Sequence, residues 1–212
     1  MIYLMNNILI IIIILLFIGI INISITLTNN QMLSICDTKN EKEATLCLEP
    51  MLGFANAIQE RQNLAQNINY QKNFLLPEGT QIFRELCSLY SEFKKCTSNI
   101  NCESISIKAV EASYGFMCGI GNEQFKEHAD CFSRLENKAD YIYCKSIASN
   151  EINKEKENNK NKLCYTMNNY LKCCKPLVER NCGNKAWKLV AKITKDSLNV
   201  SLPDCNLFAL EN

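Results

Sequence analysis

The chain holds one histidine, and that scarcity excludes more than any residue present in quantity. A Ser-His-Asp or Cys-His catalytic site would have to use His128. On the helical period that residue lies beside Ala129, between Glu127 and Asp130, which reads as a partly exposed helix position. No two cysteines stand at Cys-x-x-Cys spacing, so zinc knuckles are excluded. No glycine-rich phosphate loop occurs, nor a calcium loop of alternating Asp and Asn around a central Gly. Only seven glycines and four prolines punctuate the chain, and no run alternates with period two, so strands are nearly excluded. Lys+Arg number 23 against 22 Asp+Glu, and the basic residues are scattered. The one cluster, Lys154 to Lys162, is interleaved with Glu155 and Glu157. That balance gives no footprint for nucleic acid or an anionic membrane.

Cysteine is what the chain has in excess. All thirteen lie at or beyond Cys36, behind an apolar run from Ile8 to Ile21. The run has the length of a signal-peptide core and falls short of the roughly 20 residues that span a bilayer. Residues 1–27 are therefore read as a signal peptide, with Ser24 and Thr26, or Thr26 and Thr28, as the small residues near its end. No Lys or Arg precedes the run, and Asn22 to Leu27 would extend it into a signal anchor, the alternative reading. Both place the cysteines in an oxidising compartment, where they form disulfides. Membrane attachment is expected only if the segment stays uncleaved. Twelve cysteines pair and one is left over, with connectivity open.

The remaining 185 or so residues suffice for one domain with a core. Leu48, Leu52, Ala55 and Ile58 recur at helical spacing, with Leu64 as an extension, before a polar stretch from Asn67 to Asn73. Pro77 and Gly79 mark a turn into a helix that Thr80 caps and that carries Ile82, Phe83, Leu86, Leu89, Tyr90 and Phe93. Ser104 caps the next, with Ile107, Val110, Tyr114 and Met117 as its stripe and Gly119 and Gly121 as its stop. Phe125, Ala129, Phe132, Leu135 and Ala139 form a further period, prolonged by Tyr141 to Ile147. A polar segment, Asn150 to Lys162, reads as an exposed helix end or loop. Met167, Tyr170 and Leu171 resume a helix that Pro176 must end or kink, and Ala186, Trp187, Leu189, Val190 and Ile193 make the last. The expected fold is all-α: five to six short helices in one disulfide-stapled domain over residues 36–205.

The order of twelve cysteines, together with Cys182-Gly183-x-x-Ala186-Trp187 and Leu202-Pro203-Asp204-Cys205, resembles a nematode-expanded family of secreted cysteine-rich proteins, domain of unknown function nineteen. The cysteines that carry it are Cys36, Cys47, Cys87, Cys96, Cys102, Cys118, Cys131, Cys144, Cys164, Cys173, Cys182 and Cys205. The resemblance implies a secreted, largely helical domain cross-linked through these residues, with no assigned activity. The family pattern has one cysteine where this chain has Cys173 and Cys174. Cys173 follows Tyr170 at the family's spacing, which leaves Cys174 as the candidate unpaired thiol; the alternative is a shift in which Cys174 pairs instead.

Other candidate sites are weaker. Secreted phospholipases carry adjacent helical cysteines followed closely by catalytic His and Asp, whereas Lys175, Pro176, Leu177 and Val178 follow here. Glu123, Glu127, Asp130 and Glu136 lie at helical spacing with Lys126 and Arg134 between them, the pattern of a solvated face. Asn199-Val200-Ser201 is an N-glycosylation sequon; Asn22-Ile23-Ser24 is a second, within or beside the signal. Phe83, Phe93, Tyr114, Phe116, Phe125, Phe132 and Tyr170 form a core or, alternatively, line the cavity of a carrier for a small hydrophobic ligand. The expected function is that of a secreted binding or interaction protein without catalytic activity, cofactor or metal. Its partner is expected to be an extracellular protein or surface.

Overall fold

The computed structural model describes residues 36–67, 79–153 and 160–210. The proposed signal, the sequon at Asn22, the turn at Pro77, the side chain of Leu64, most of the Asn/Gln-rich stretch and residues 154–159 of the Lys154–Lys162 cluster lie outside them. Among the described residues there are seven α-helices and no strand: α1 (Thr38–Asn67), α2 (Gly79–Cys96), α3 (Ile105–Val110), α4 (Asn122–Leu135), α5 (Ala139–Asn153), α6 (Lys160–Cys182) and α7 (Asn184–Ser201). A π-turn, Glu111–Gly115, and a single helical turn, Phe116–Cys118, continue α3. The fold is all-α, with one or two more helices than the sequence periods suggest.

The extra count has a local cause. The stripe read as one helix from Phe125 to Ile147 breaks at residues 136–138, and Ala139 is exposed rather than buried. Asn137 turns its side-chain amide back to Ser133 O (3.0 Å), while the backbone N–H groups of Asn137 and Lys138 bond to Arg134 and Leu135. An Asn that bonds to its own backbone in this way competes with the helical ladder.

Other boundaries also moved. Helix α1 begins ten residues before Leu48, because Asp37 Oδ1 accepts the N–H of Asn40 (2.8 Å) and caps the first turn. Ser104 caps α3 as expected, accepting from Ile107 N at 3.1 Å. Thr80 is not an N-cap: α2 starts at Gly79, and both the N–H and the hydroxyl of Thr80 donate to Asp130 Oδ1 of α4 (3.0 and 2.9 Å). Pro176 does not end its helix, since α6 runs through it to Cys182. Pro176 is exposed, so the Lys172 carbonyl it cannot serve faces water, and disulfides at Cys173 and Cys182 hold the helix on either side. Gly183, at φ 89°, supplies the left-handed residue that turns α6 into α7.

Six disulfides form two sets. Cys36–Cys102, Cys47–Cys96 and Cys87–Cys118 join the segments up to the helical turn after α3. Cys131–Cys182, Cys144–Cys173 and Cys164–Cys205 join α4 to the C-terminal tail. No bridge crosses between the sets. The two halves are united without a disulfide, mainly through one continuous core to which α1 to α7 all contribute. At the seam Phe83 of α2 stacks on Phe125 of α4 (centroids 6.0 Å apart), and buried Ser113 in the π-turn shares a 2.9 Å hydrogen bond with Ser197 of α7.

Candidate functional site

The residues that chemistry would need do not converge. His128 is half-buried on α4, its ring 6.1 Å from that of Phe132, the next turn of the same helix. Glu123 is paired with Lys126 (2.9 Å), Glu127 is exposed, and Asp130 serves the first turn of α2. Among the described residues no three His, Cys, Asp or Glu side chains are grouped to hold a metal ion. The aromatic side chains weighed as a cavity lining instead meet one another. Phe125 is in ring contact with Phe83, Phe116 and Phe132, and Tyr90 stacks on Tyr114. All but Phe116 are buried members of the core, and Phe116 packs against it.

A polar cluster is buried between α5 and α6, and of its members only Cys174 stood out in the sequence. Cys174 is free and buried, while its neighbour Cys173 turns to the other side of the helix and pairs with Cys144. Tyr141, Tyr170 and Lys145 surround the thiol. Tyr170 Oη is buried, with Tyr141 and Cys174 as its polar neighbours. Burial pushes the Cys174 thiol up to about 12, against partial relief from Tyr170 and the Lys145 charge. A thiol held protonated and out of solvent is inert as a nucleophile and as a partner for another chain. Cys174 thus acts as a small core residue, not as a reactive centre.

Lys145 is only 4% exposed, and burial lowers its pKa to about 8 despite the nearby Glu136 charge. Its ammonium is therefore less favoured in the folded than in the unfolded chain. Between pH 8 and its ordinary 10.5 the unfolded state binds more protons, so this group makes stability rise with pH. Above about pH 9 the Cys174 thiol acts in the opposite sense, because the unfolded thiol ionises first. The melting temperature of the natural chain, minus that of a Lys145→Met variant, is expected to increase from pH 7 to pH 9. A difference that is flat or falls over this range would contradict the buried placement of Lys145.

Among the described residues, the exposed large apolar side chains are Leu46, Ile120, Tyr143, Ile147, Tyr165 and Phe208. Tyr143 (64% exposed) and Ile147 (38%) lie one turn apart on the outer side of α5, immediately beside the Cys144–Cys173 bridge. Their exposure was hidden in the sequence, where both fall within the apolar period assigned to the core. Asn199 is exposed in the last turn of α7, and its sequon partner Ser201 donates to Ser197 O (3.0 Å). A glycan there would project into solvent.

The chain is 23% identical over 182 residues to an uncharacterized protein of Caenorhabditis elegans, an alignment covering 74% of this chain and 82% of the relative. No solved structure matches it. The family described as Domain of unknown function (DUF19) matches residues 36–206, which take in all six disulfides and every helix of the fold, and the chain belongs to that family.

Proposed function

We propose that this is a secreted, glycosylated protein that acts by binding an extracellular protein or surface rather than by catalysis. The observation that carries the reading is the outward pair Tyr143 and Ile147 on a helix anchored by Cys144–Cys173. A large aromatic residue presented on a rigid element gives contact area at little entropic cost, which is why tyrosine recurs at binding hot spots. Six disulfides suit a domain that works outside the cell, where dilution and proteases remove marginally stable chains. The dispersed positions of His128 and the α4 carboxylates support binding over catalysis.

The test begins with expression in a eukaryotic host, where glycosylated material starting near Thr28 is expected in the medium. Labelled protein is then titrated onto intact nematode tissue and onto host cells. Saturable binding is expected on one of the two, competed by unlabelled protein. The Tyr143→Ala/Ile147→Ser variant should bind at least about tenfold more weakly with an unchanged melting temperature. Equal binding by this variant would remove the α5 face from the account. Retention of the protein in the membrane fraction would favour the anchored form.

A further inference from the structure

The structure gathers charge that is scattered in the sequence. Lys185, Lys188, Lys192 and Lys195 are all exposed, and their three- and four-residue spacings put them along one face of α7. They are the polar complement of the buried Ala186, Leu189, Val190 and Ile193. The row advances about 15 Å, with a charge about every 5 Å. Lys192 is held by Asp196 (2.8 Å) and lies over the Phe116 ring, 4.6 Å from its centroid. None of the ion pairs among the described residues involves Lys185, Lys188 or Lys195. Like charges at this spacing repel one another and destabilise a helix. Helix α4 instead mixes both signs, with Lys126 and Arg134 among Glu123, Glu127 and Asp130. From Lys160 to Leu210 the chain carries nine Lys/Arg against three Asp/Glu, although the whole is nearly neutral.

We infer that this face of α7 binds a sulfated polysaccharide chain. Three exposed ammonium groups without an ion pair, strung along one face with the Asp196-paired Lys192 between them, match a linear polymer with repeated anions and do not converge on a compact anion. Six disulfides place the domain in an oxidising compartment, where the polyanion it meets is a sulfated glycan rather than a nucleic acid. A membrane surface fits less well. The exposed side of α7 carries no large apolar residue to insert into the headgroup layer, and Asn199, one turn beyond Lys195, is a glycan acceptor on the same face.

The inference rests on the reading that the protein acts by binding outside the cell, but it uses a different helix. The test is fluorescence anisotropy of the full secreted chain with a labelled heparin decasaccharide, as a function of NaCl. The Lys185→Glu/Lys188→Glu/Lys195→Glu variant is compared with a Lys39→Glu/Lys42→Glu/Lys95→Glu control, which makes the same change in net charge at exposed positions. At about 0.15 M NaCl the natural chain should bind, and the α7 variant should bind at least about tenfold more weakly. Its slope of log affinity against log salt should be smaller by about 2–3. The control should keep most of the affinity. Equal loss in both variants, no binding by the natural chain, or capture by phosphatidylserine vesicles without heparin binding would each overturn the inference. No heparin binding by the natural chain, with its Tyr143-dependent surface binding intact, would sink this inference alone.

Discussion

Replacing Gly79 by alanine is expected to lower the melting temperature by about 10 °C, more than a single added methyl group does at most positions. A Cβ at Gly79 would run into the backbone of Ala129 and Asp130, which cannot move aside as a flexible side chain can. Overpacking of this sort costs about 1–3 kcal/mol, and more where backbone must shift. In a domain of this size each kcal/mol is about 2–4 °C. The position amplifies the effect. Gly79 opens α2, which belongs to the first disulfide set, and it rests on α4, which carries Cys131 of the second. No disulfide spans that contact, so only packing and the two Thr80–Asp130 hydrogen bonds resist the two helices moving apart. The same shift would pull Thr80 from Asp130 and leave the first turn of α2 without its acceptor. Thermal unfolding of Gly79→Ala under non-reducing conditions checks this. A change below about 2 °C would mean that α2 does not approach α4 as described.

Removing the Cys36–Cys102 bridge by paired serine substitution should destabilise the domain by about 4 kcal/mol, a fall of about 10 °C in melting temperature. These cysteines are 66 residues apart, the widest separation of the six. The bridge also brings together two helix starts that depend on each other. Glu41, in the first turn of α1, accepts from Ile105 N (2.8 Å) and from the hydroxyls of Ser104 and Ser106 (3.0 Å each). Its carboxylate thereby supplies donor-satisfying charge to the start of α3, where the helix dipole favours it. Without that tie α1 is still anchored through Cys47–Cys96, but the Glu41 interaction must be formed against the entropy of the freed residues before Cys47. The measurement is circular dichroism melting of the Cys36→Ser/Cys102→Ser protein. A drop under about 3 °C would show that Glu41, the core and Cys47–Cys96 hold the start of α1 without this bridge.

The helical class and the core faces were legible because amphipathic periods are local. Phe83, Leu86, Tyr90 and Phe93 on α2, and Ala186, Leu189, Val190 and Ile193 on α7, are buried as their spacing implies. Boundaries failed where a tertiary contact or a local side chain decided them. Asp130 stands 50 residues from the Thr80 it caps, so no window around Thr80 contains it. The start of α1 was readable in retrospect, since Asp37 precedes Asn40 by the spacing of a capped first turn. The break at 136–138 turned on Asn137, a weak signal inside a strong apolar period. Disulfide connectivity depends on which helix faces meet, which no spacing encodes. The lysine row of α7 was present in the sequence at three- and four-residue intervals. Reading net charge over the whole chain concealed it.

The account stands on two separately stapled halves with Cys174 sealed inside the second. Peptide mapping of the secreted, non-reduced protein, alkylated only after denaturation, tests this most directly. The predicted result is six bridges, Cys36–Cys102, Cys47–Cys96, Cys87–Cys118, Cys131–Cys182, Cys144–Cys173 and Cys164–Cys205, with the alkyl label on Cys174 alone. Label on Cys173, or any bridge joining a cysteine up to Cys118 with one from Cys131 onward, would contradict it.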